Sequence, residues 1–547
     1  VTRVPPTDPT QRLDRRTLLS GAAAVTGGLA LTTALPGCTT PEQRESVAAG
    51  AAVDLPTYRA TAGAEPQFPS TGPDVMPGFT EYPRESVAPA TDGTPPIKSG
   101  KPLTILTNVN TTIPPALGQN AFWRGMNERV GAELTYIMAP NADYLPKLQV
   151  SIAGGDLPDI VQFRGIPNLP QLLERSFVDL SEYVSGDNIA RYPNLAAIPT
   201  ASWRSMIYNR RIYGFPLNRS TLGDIVTARI DLIEERGANP DPQSYQEFLD
   251  AARVLTEPKR NRWAMCNPIA LINWTLQMLD APNGWAEEGG RFTHQLEDEK
   301  YKQALDAAAQ QWKEGLFHPD SFSVGTRTTE WYNGGIIGIS TGGASPATWD
   351  AGAPGTRSGA LVPPKFDGGG YAVKFLGSGI YGGPVCIRKA EKARVDEIVE
   401  LFNYLASPFG STEHQYIAYG SEGTDFTYQG NNPVPTDQAL LERNLPITYT
   451  GAPAQVNFSA VSPGAVENDY AYQKKCAEIT KANASSGLYS ATEQEKGNSL
   501  RTRLDDLATE IILGRKPVTD WDAAMDTWRR EGGDQIRAEY EAAIEAN

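Results

Sequence analysis

The chain has 547 residues, with 49 Lys and Arg against 64 Asp and Glu, for a formal net charge of −15. That length supports two or three domains around a large core, and 40% hydrophobic with 21% charged residues is an ordinary globular composition. So acidic a balance excludes the usual nucleic-acid binders, whose affinity comes from phosphate neutralisation; three His and four Cys exclude a metal-rich or disulfide-stapled fold.

The first feature in chain order is TLLSGAAAVTGGLALTTALPGC, Thr17 to Cys38. As a transmembrane helix it is marginal, because it carries four Gly and a Pro. As a core helix it lacks a polar face. As a signal peptide it fits: Arg12, Arg15 and Arg16 precede an apolar stretch from Leu18 to Leu35, and small residues follow. Arg15-Arg16-Thr17-Leu18-Leu19 resembles a twin-arginine export signal. Leu35-Pro36-Gly37-Cys38 resembles the lipobox of bacterial lipoproteins, where cleavage leaves the cysteine to carry diacylglycerol. Residues 1–37 are therefore expected to be removed and Cys38 to anchor the protein at the extracellular face of the cytoplasmic membrane. Losing four Arg and two Asp takes the net charge from −15 to −17. Val1 reads as a GTG start codon, which fits a high-GC Gram-positive bacterium.

Residues 38–100, rich in Pro, Ala, Thr, Ser and Gly, read as a tether. Phe68, Phe79 and Tyr82 within it predict that its second half lies along the folded body. Folded sequence starts at Lys101. PLTILTNV predicts a buried strand, residues 120–130 a helix, and AELTYIM a second strand. NADYLPKLQVSIAGG carries Tyr144, Leu148 and Ile152 on one helical face, with Asn141 as N-cap and Gly154-Gly155 as stop; LPDIVQF is a third strand. This alternation predicts an α/β, doubly wound parallel sheet. NRRIYGFPLNRS is extended and SYQEFLDAARVL helical. A helix over 301–313 precedes the buried strand NGGIIGIST. SGIYGGPVCIRK is extended again, 391–406 is helical, and the C-terminal region is helical with breaks at Gly514 and Gly532-Gly533.

Seven stretches in this order, KLQVSIAGGDLPDIV, NRRIYGFPLN, APNGW, GGIIGIS, LFNYLASPFG, YGSEGTDF and IILGRKPVTDWD, carry a resemblance. The chain resembles the bacterial extracellular solute-binding proteins of ABC importers, in particular the long oligosaccharide-binding lipoproteins that include aldouronate- and alginate-binding types. The resemblance implies a two-lobed periplasmic-binding-protein-like fold (type II) with the oligosaccharide in an interlobe cleft. It implies a monomer that delivers its ligand to ABC permease subunits, with no cofactor and no catalysis. Lobe one is expected at 101–216 and 378–425, lobe two at 217–377 and 426–547. YGFPLN and GIYGGPV are the crossings, with glycines suited to a hinge. Many relatives carry a calcium loop after the helix matching Phe248–Leu255. Here that place reads TEPKRNRWAMCNP, with Lys259, Arg260 and Arg262 where oxygen ligands are needed, so no metal is expected.

Two rival functions are a membrane-tethered glycan-degrading enzyme and a peptide-binding receptor on a similar scaffold. A glycosidase needs two carboxylates facing across a bond. Glu234-Glu235, Glu287-Glu288 and Asp505-Asp506 are adjacent in sequence and read as solvated surface, and no G-x-S-x-G, H-E-x-x-H or P-loop is present. Asp156 and Asp159 read as structural. Of Cys266, Cys386 and Cys476 at least one is free, and Cys386 sits in an apolar strand.

Open α/β sheets bind ligands beyond the carboxyl ends of their strands. That logic selects Asn108 and Asn110 after the first strand, Phe163 and Arg164 after the third, Asn218 and Arg219 after one crossing, and Tyr381 at the other. Trp349 lies in TGGASPATWDAGAPG, read as a Gly/Pro-rich loop after the GIIGIS strand, where relatives of this family place ligand contacts; it is expected to form one wall of the cleft. Trp274 is a further aromatic candidate. An acidic sugar would need a cleft arginine such as Arg164 or Arg219.

Overall fold

The computed structural model describes residues 53–60, 63–110, 112–323, 327–341 and 345–545. The export segment and Cys38 lie outside the described residues. Leu103–Val109, Leu134–Pro140 and Ile160–Gln162 form the expected parallel sheet, in register from Leu103 opposite Leu134 and Ile105 opposite Ile160. A fourth strand, Val385–Ile387, returns from far along the chain and pairs antiparallel with Ile160–Gln162 at the edge. The first strand is buried along almost its whole length because helices cover both of its faces. Ala121–Val130 covers one face, capped by the Asn120 side chain, which accepts the Trp123 N–H at 2.8 Å. Asn141–Gly154 and Leu169–Ser176 cover the other, through Tyr144, Leu148 and Leu173. Asn141 is not a cap: it is the first helical residue, and its side-chain oxygen accepts from Arg164 Nη1 instead.

A second core surrounds Thr227–Arg229, the central strand between Ile339–Ser340 and Ser358–Ala360. Both neighbours are antiparallel, so this sheet is not the parallel type of the first core. Within NGGIIGIST, Ile339 and Ser340 pair with the central strand and Ile337 makes an isolated parallel bridge to Trp263. The strand is short because the three glycines of that stretch weaken strand formation. Helices Tyr245–Leu255 and Pro268–Met278 pack on this sheet through Phe248, Leu249 and Trp274. A helical layer continues outward, with Leu276, Tyr301, Leu504, Trp521 and Trp528 in one cluster.

The two crossings meet as an antiparallel pair. Phe215 N–H donates to Val385 O at 2.9 Å, Tyr381 N–H to Leu217 O at 2.9 Å, and Arg219 N–H to Gly379 O at 2.9 Å. Two glycines permit this approach for a steric reason. A Cβ on Gly214 would stand 2.5 Å from the Pro384 Cβ, and one on Gly383 would stand 2.6 Å from Phe163 O. Beyond the second crossing the chain stays with the first core through Leu445, Ile447 and Ala452. The Gln455 N–H then donates to Asn218 Oδ1 at 3.1 Å, which places a third passage beside the other two.

The described part of 53–100 is bonded to the body at several points. Thr57 N–H donates to Gly186 O at 3.0 Å, Gly78–Phe79 pairs in parallel with Asn457–Phe458, and Phe79 and Tyr82 pack on Phe409. The Glu413 carboxylate accepts the N–H groups of Ala90 and Thr91 at 2.8 and 3.1 Å.

Candidate functional site

Six of the residues selected from sequence converge at the crossings, around the phenol of Tyr381. Its oxygen accepts from Asn110 Nδ2 at 2.6 Å, Asn108 Nδ2 at 3.0 Å and Arg164 Nη1 at 3.4 Å. Asn108 and Asn110 reach it together because alternate residues of a strand share a face. The guanidiniums of Arg164 and Arg219 stand 4.9 and 5.5 Å from the Tyr381 ring centre. Asn218 ties the crossings: its Nδ2 donates to Ser202 Oγ at 3.0 Å while its Oδ1 takes the Gln455 N–H.

Two contributors escaped the sequence reading. Tyr449 lies in the segment that follows the second crossing; its ring centre is 5.0 Å from that of Tyr381, and its oxygen accepts from Asn110 Nδ2 at 3.1 Å. The Pro446 and Gly451 flanking it were the only available signal, an aromatic ring in a loop. Gln162 accepts the Thr107 hydroxyl at 3.0 Å, and Thr107 also donates to Tyr449 O at 3.0 Å. Asn108 Oδ1 and Gln162 Nε2 are both buried without a hydrogen-bond partner, so the polar groups here are not completed within the chain.

The charge of the site is positive. Among the described residues neither Arg164 nor Arg219 is ion-paired with a carboxylate. Arg219 donates to Asn218 O at 2.7 Å. Burial lowers its pKa from the usual guanidinium value, and the adjacent Tyr449 and Tyr381 phenols oppose that shift.

Three selected residues stand elsewhere. Phe163 is 0% exposed and packs edge-on against Phe177 in the core under the first sheet. Trp274 is 2% exposed, beside Phe248. Trp349 does not lie in a loop. It belongs to the helix Pro346–Gly352, is 4% exposed, and its ring centre is 4.6 Å from Tyr332, with Cys266 and Trp331 in the same cluster. Pro346 at the first turn starts this helix, a position where proline is tolerated.

Asp159 takes the Thr104 N–H at 2.9 Å and the Thr104 hydroxyl at 2.8 Å, pinning strand to strand. Cys266, Cys386 and Cys476 are all buried and free. The loop after Tyr245–Leu255 is organised by Glu257, which pairs with Arg236, Arg260 and Arg262 at 2.9, 3.2 and 3.4 Å. One carboxylate shared among three guanidiniums does not fit a calcium ion, which needs six to eight oxygen ligands.

Known proteins share this architecture. The model of the bacterial extracellular solute-binding protein family matches residues 110–410, more than half of the chain. The polygalacturonan/rhamnogalacturonan-binding protein YtcQ of Bacillus subtilis is 23% identical over 436 residues, covering 75% of this chain and 85% of that one. Lipoprotein LipO of Bacillus subtilis is 21% identical over 447 residues, covering 76% and 86%. The crystal structure of the alginate-binding protein AlgQ2 without calcium ion superposes with a TM-score of 0.61 at 17% identity, covering 83% of this chain and 100% of that one. With its two cores and paired crossings, the chain belongs to the bacterial extracellular solute-binding proteins and has their two-lobed α/β fold.

Proposed function

We propose that this protein is the substrate receptor of an ABC importer and that it holds an acidic, uronate-bearing oligosaccharide at the crossings. The observation that carries the reading is the pair of guanidiniums, Arg164 and Arg219, flanking Tyr381 without a carboxylate partner. Guanidinium is the side chain best shaped to take a sugar carboxylate in two parallel hydrogen bonds. The Tyr381 and Tyr449 rings suit the apolar face of a pyranose, and the Asn110 carboxamide suits its hydroxyls. Polygalacturonan and alginate are chains of uronic acids, and the relatives named for binding them support the same class. A glycosidase gains no support from this site, because no carboxylate pair faces Tyr381 among the described residues.

Lobe one is best taken as 101–216 and 378–452, with the third crossing at 453–457, since Leu445, Ile447 and Ala452 pack in the first core. Closure of the lobes buries the ligand and distinguishes loaded from empty receptor for the permease. Cys38 carries the lipid and the 38–100 arm connects it to the body, as a monomer. Calorimetry with a short oligogalacturonate and a neutral glycan of equal length tests the reading. The acidic ligand is expected to bind more tightly. Arg164→Ala and Arg219→Ala are each expected to weaken it about 10- to 100-fold, the scale of a charge-assisted hydrogen bond. Equal binding of the neutral glycan, with both arginine variants unaffected, overturns it.

A further inference from the structure

A cavity of about 390 Å³ lies within the outer helical layer and shares no residue with the site at the crossings. Its walls include the rings of Trp285, Tyr301, Trp528 and Tyr540, and Glu493, Arg501, Asp505 and His294 are among its polar groups. The volume falls in the range of small-molecule pockets, about 300–1,000 Å³.

Several features mark the cavity as built rather than left over. Glu493 opens a π-helical turn, Glu493–Gly497, and Trp528 precedes a kinked turn, Arg529–Gly533, in which Gly532 leaves helical geometry. π-Helical turns inside helices are frequent at functional sites. Each of the two segments contains a glycine that makes room for a lining side chain. A Cβ on Gly497 would meet Glu493 Oε1 at 2.4 Å, and one on Gly533 would meet the Trp528 ring at 2.4 Å.

The polar groups are incompletely paired. The Asp505 carboxylate is partly buried and makes no hydrogen bond or ion pair among the described residues, while its neighbour Asp506 is exposed. Burial raises the pKa values of both Asp505 and Glu493, and Arg501 opposes each shift. Arg501 approaches Glu493 only to 3.7 Å. His294 accepts the Leu296 N–H at Nδ1, 3.2 Å, so its proton sits on Nε2 as a donor. Its ring lies 4.6 Å from Trp285 and 5.4 Å from Trp528, and burial holds its pKa down to about 3, so it is neutral.

We propose that this cavity is a second binding site and takes one neutral pyranose residue, free or at the end of a glycan. A sugar presents hydroxyls that donate to Asp505 and Glu493 and accept from Arg501 and His294, while its C–H face meets the aromatic wall. A small cation would use only the acceptors and would face Arg501. An acidic sugar would meet two carboxylates against one guanidinium, the reverse of the balance around Tyr381.

The test uses the whole protein and the methyl glycosides of glucose, galactose, mannose and rhamnose, followed by tryptophan fluorescence and saturation-transfer NMR. At least one glycoside is expected to bind with a Kd of about 1 mM. Asp505→Asn is expected to raise that Kd at least about tenfold, and Arg219→Ala to leave it unchanged. Asn273→Trp, which plugs the mouth from an exposed position, is expected to abolish binding in a protein that melts normally, so a folding defect at Asp505 does not hide the result. The proposal is overturned if none of the four binds, if putrescine binds and they do not, or if binding is lost in Arg219→Ala and kept in Asp505→Asn. The Arg219→Ala arm also separates this site from the one at the crossings.

Discussion

Asp469 offers a direct test of the packing in the second lobe. It sits on the helix Pro463–Ala477, is 4% exposed, and its Oδ1 has no hydrogen-bond partner. Burial raises its pKa from 3.8 to about 7; the nearby Asp350 carboxylate adds to this and the Ser345 hydroxyl opposes it. The folded protein therefore prefers Asp469 protonated, while the unfolded chain ionises it near 3.8. Its contribution to stability is fully present below pH 3.8 and is lost as pH rises through about 7. A displacement of that size corresponds to at most about 4 kcal/mol. Asp469→Asn keeps the shape and removes the titration. The variant is expected to match the wild type near pH 4 and to exceed it increasingly toward pH 7, with a constant difference above that. Urea unfolding of the ligand-free protein at half-unit pH steps measures the difference. Parallel stability curves from pH 4 to 8 refute the reasoning, because they mean that water or a cation reaches this carboxylate in the folded state.

Trp349→Ala is expected to cost the ligand-free protein about 3–5 kcal/mol, the scale of a large-to-small change in a core, with the affinity of the folded fraction near normal; normal melting with weakened binding shows a cleft ring instead. Cys38→Ser is expected to release the protein to the medium, since no described helix is long and apolar enough to cross a membrane, and fractionation that still finds it membrane-bound removes the anchor assignment. Chelator is expected to leave the melting temperature unchanged, because Glu257 is held by three arginines; a fall reversed by calcium contradicts that.

Local sequence determined a good deal here. The strand–helix–strand alternation from Leu103 to Gln162 was legible because the strands are short, largely apolar runs and the helix between them carries a 3.6-residue period. YGFPLN and GIYGGPV read locally only as extended segments, and it was the family resemblance that implied they cross; strand-end logic then selected Asn108, Asn110, Arg164, Asn218, Arg219 and Tyr381, which meet. The same logic also took Phe163, because it names the end of a strand and not the side on which a residue emerges. Successive side chains point to opposite faces, so Phe163 enters the core and Arg164 turns to Tyr381. Tyr449 was out of reach: it meets Asn110 across 339 residues of chain, and no local pattern encodes such a meeting. Trp349 failed for a related reason. Pro346 reads as a loop residue or as a helix start with equal ease, and its packing on Tyr332 and Trp331 decides between them. Asp505 shows the same division, since adjacent acids read alike in sequence, whereas Asp505 lines a cavity with Trp528, Tyr301 and Glu493 and Asp506 is exposed. Periodicity is carried by a few consecutive residues, whereas burial and charge environment depend on which distant segments arrive, and only the tertiary structure brings those together.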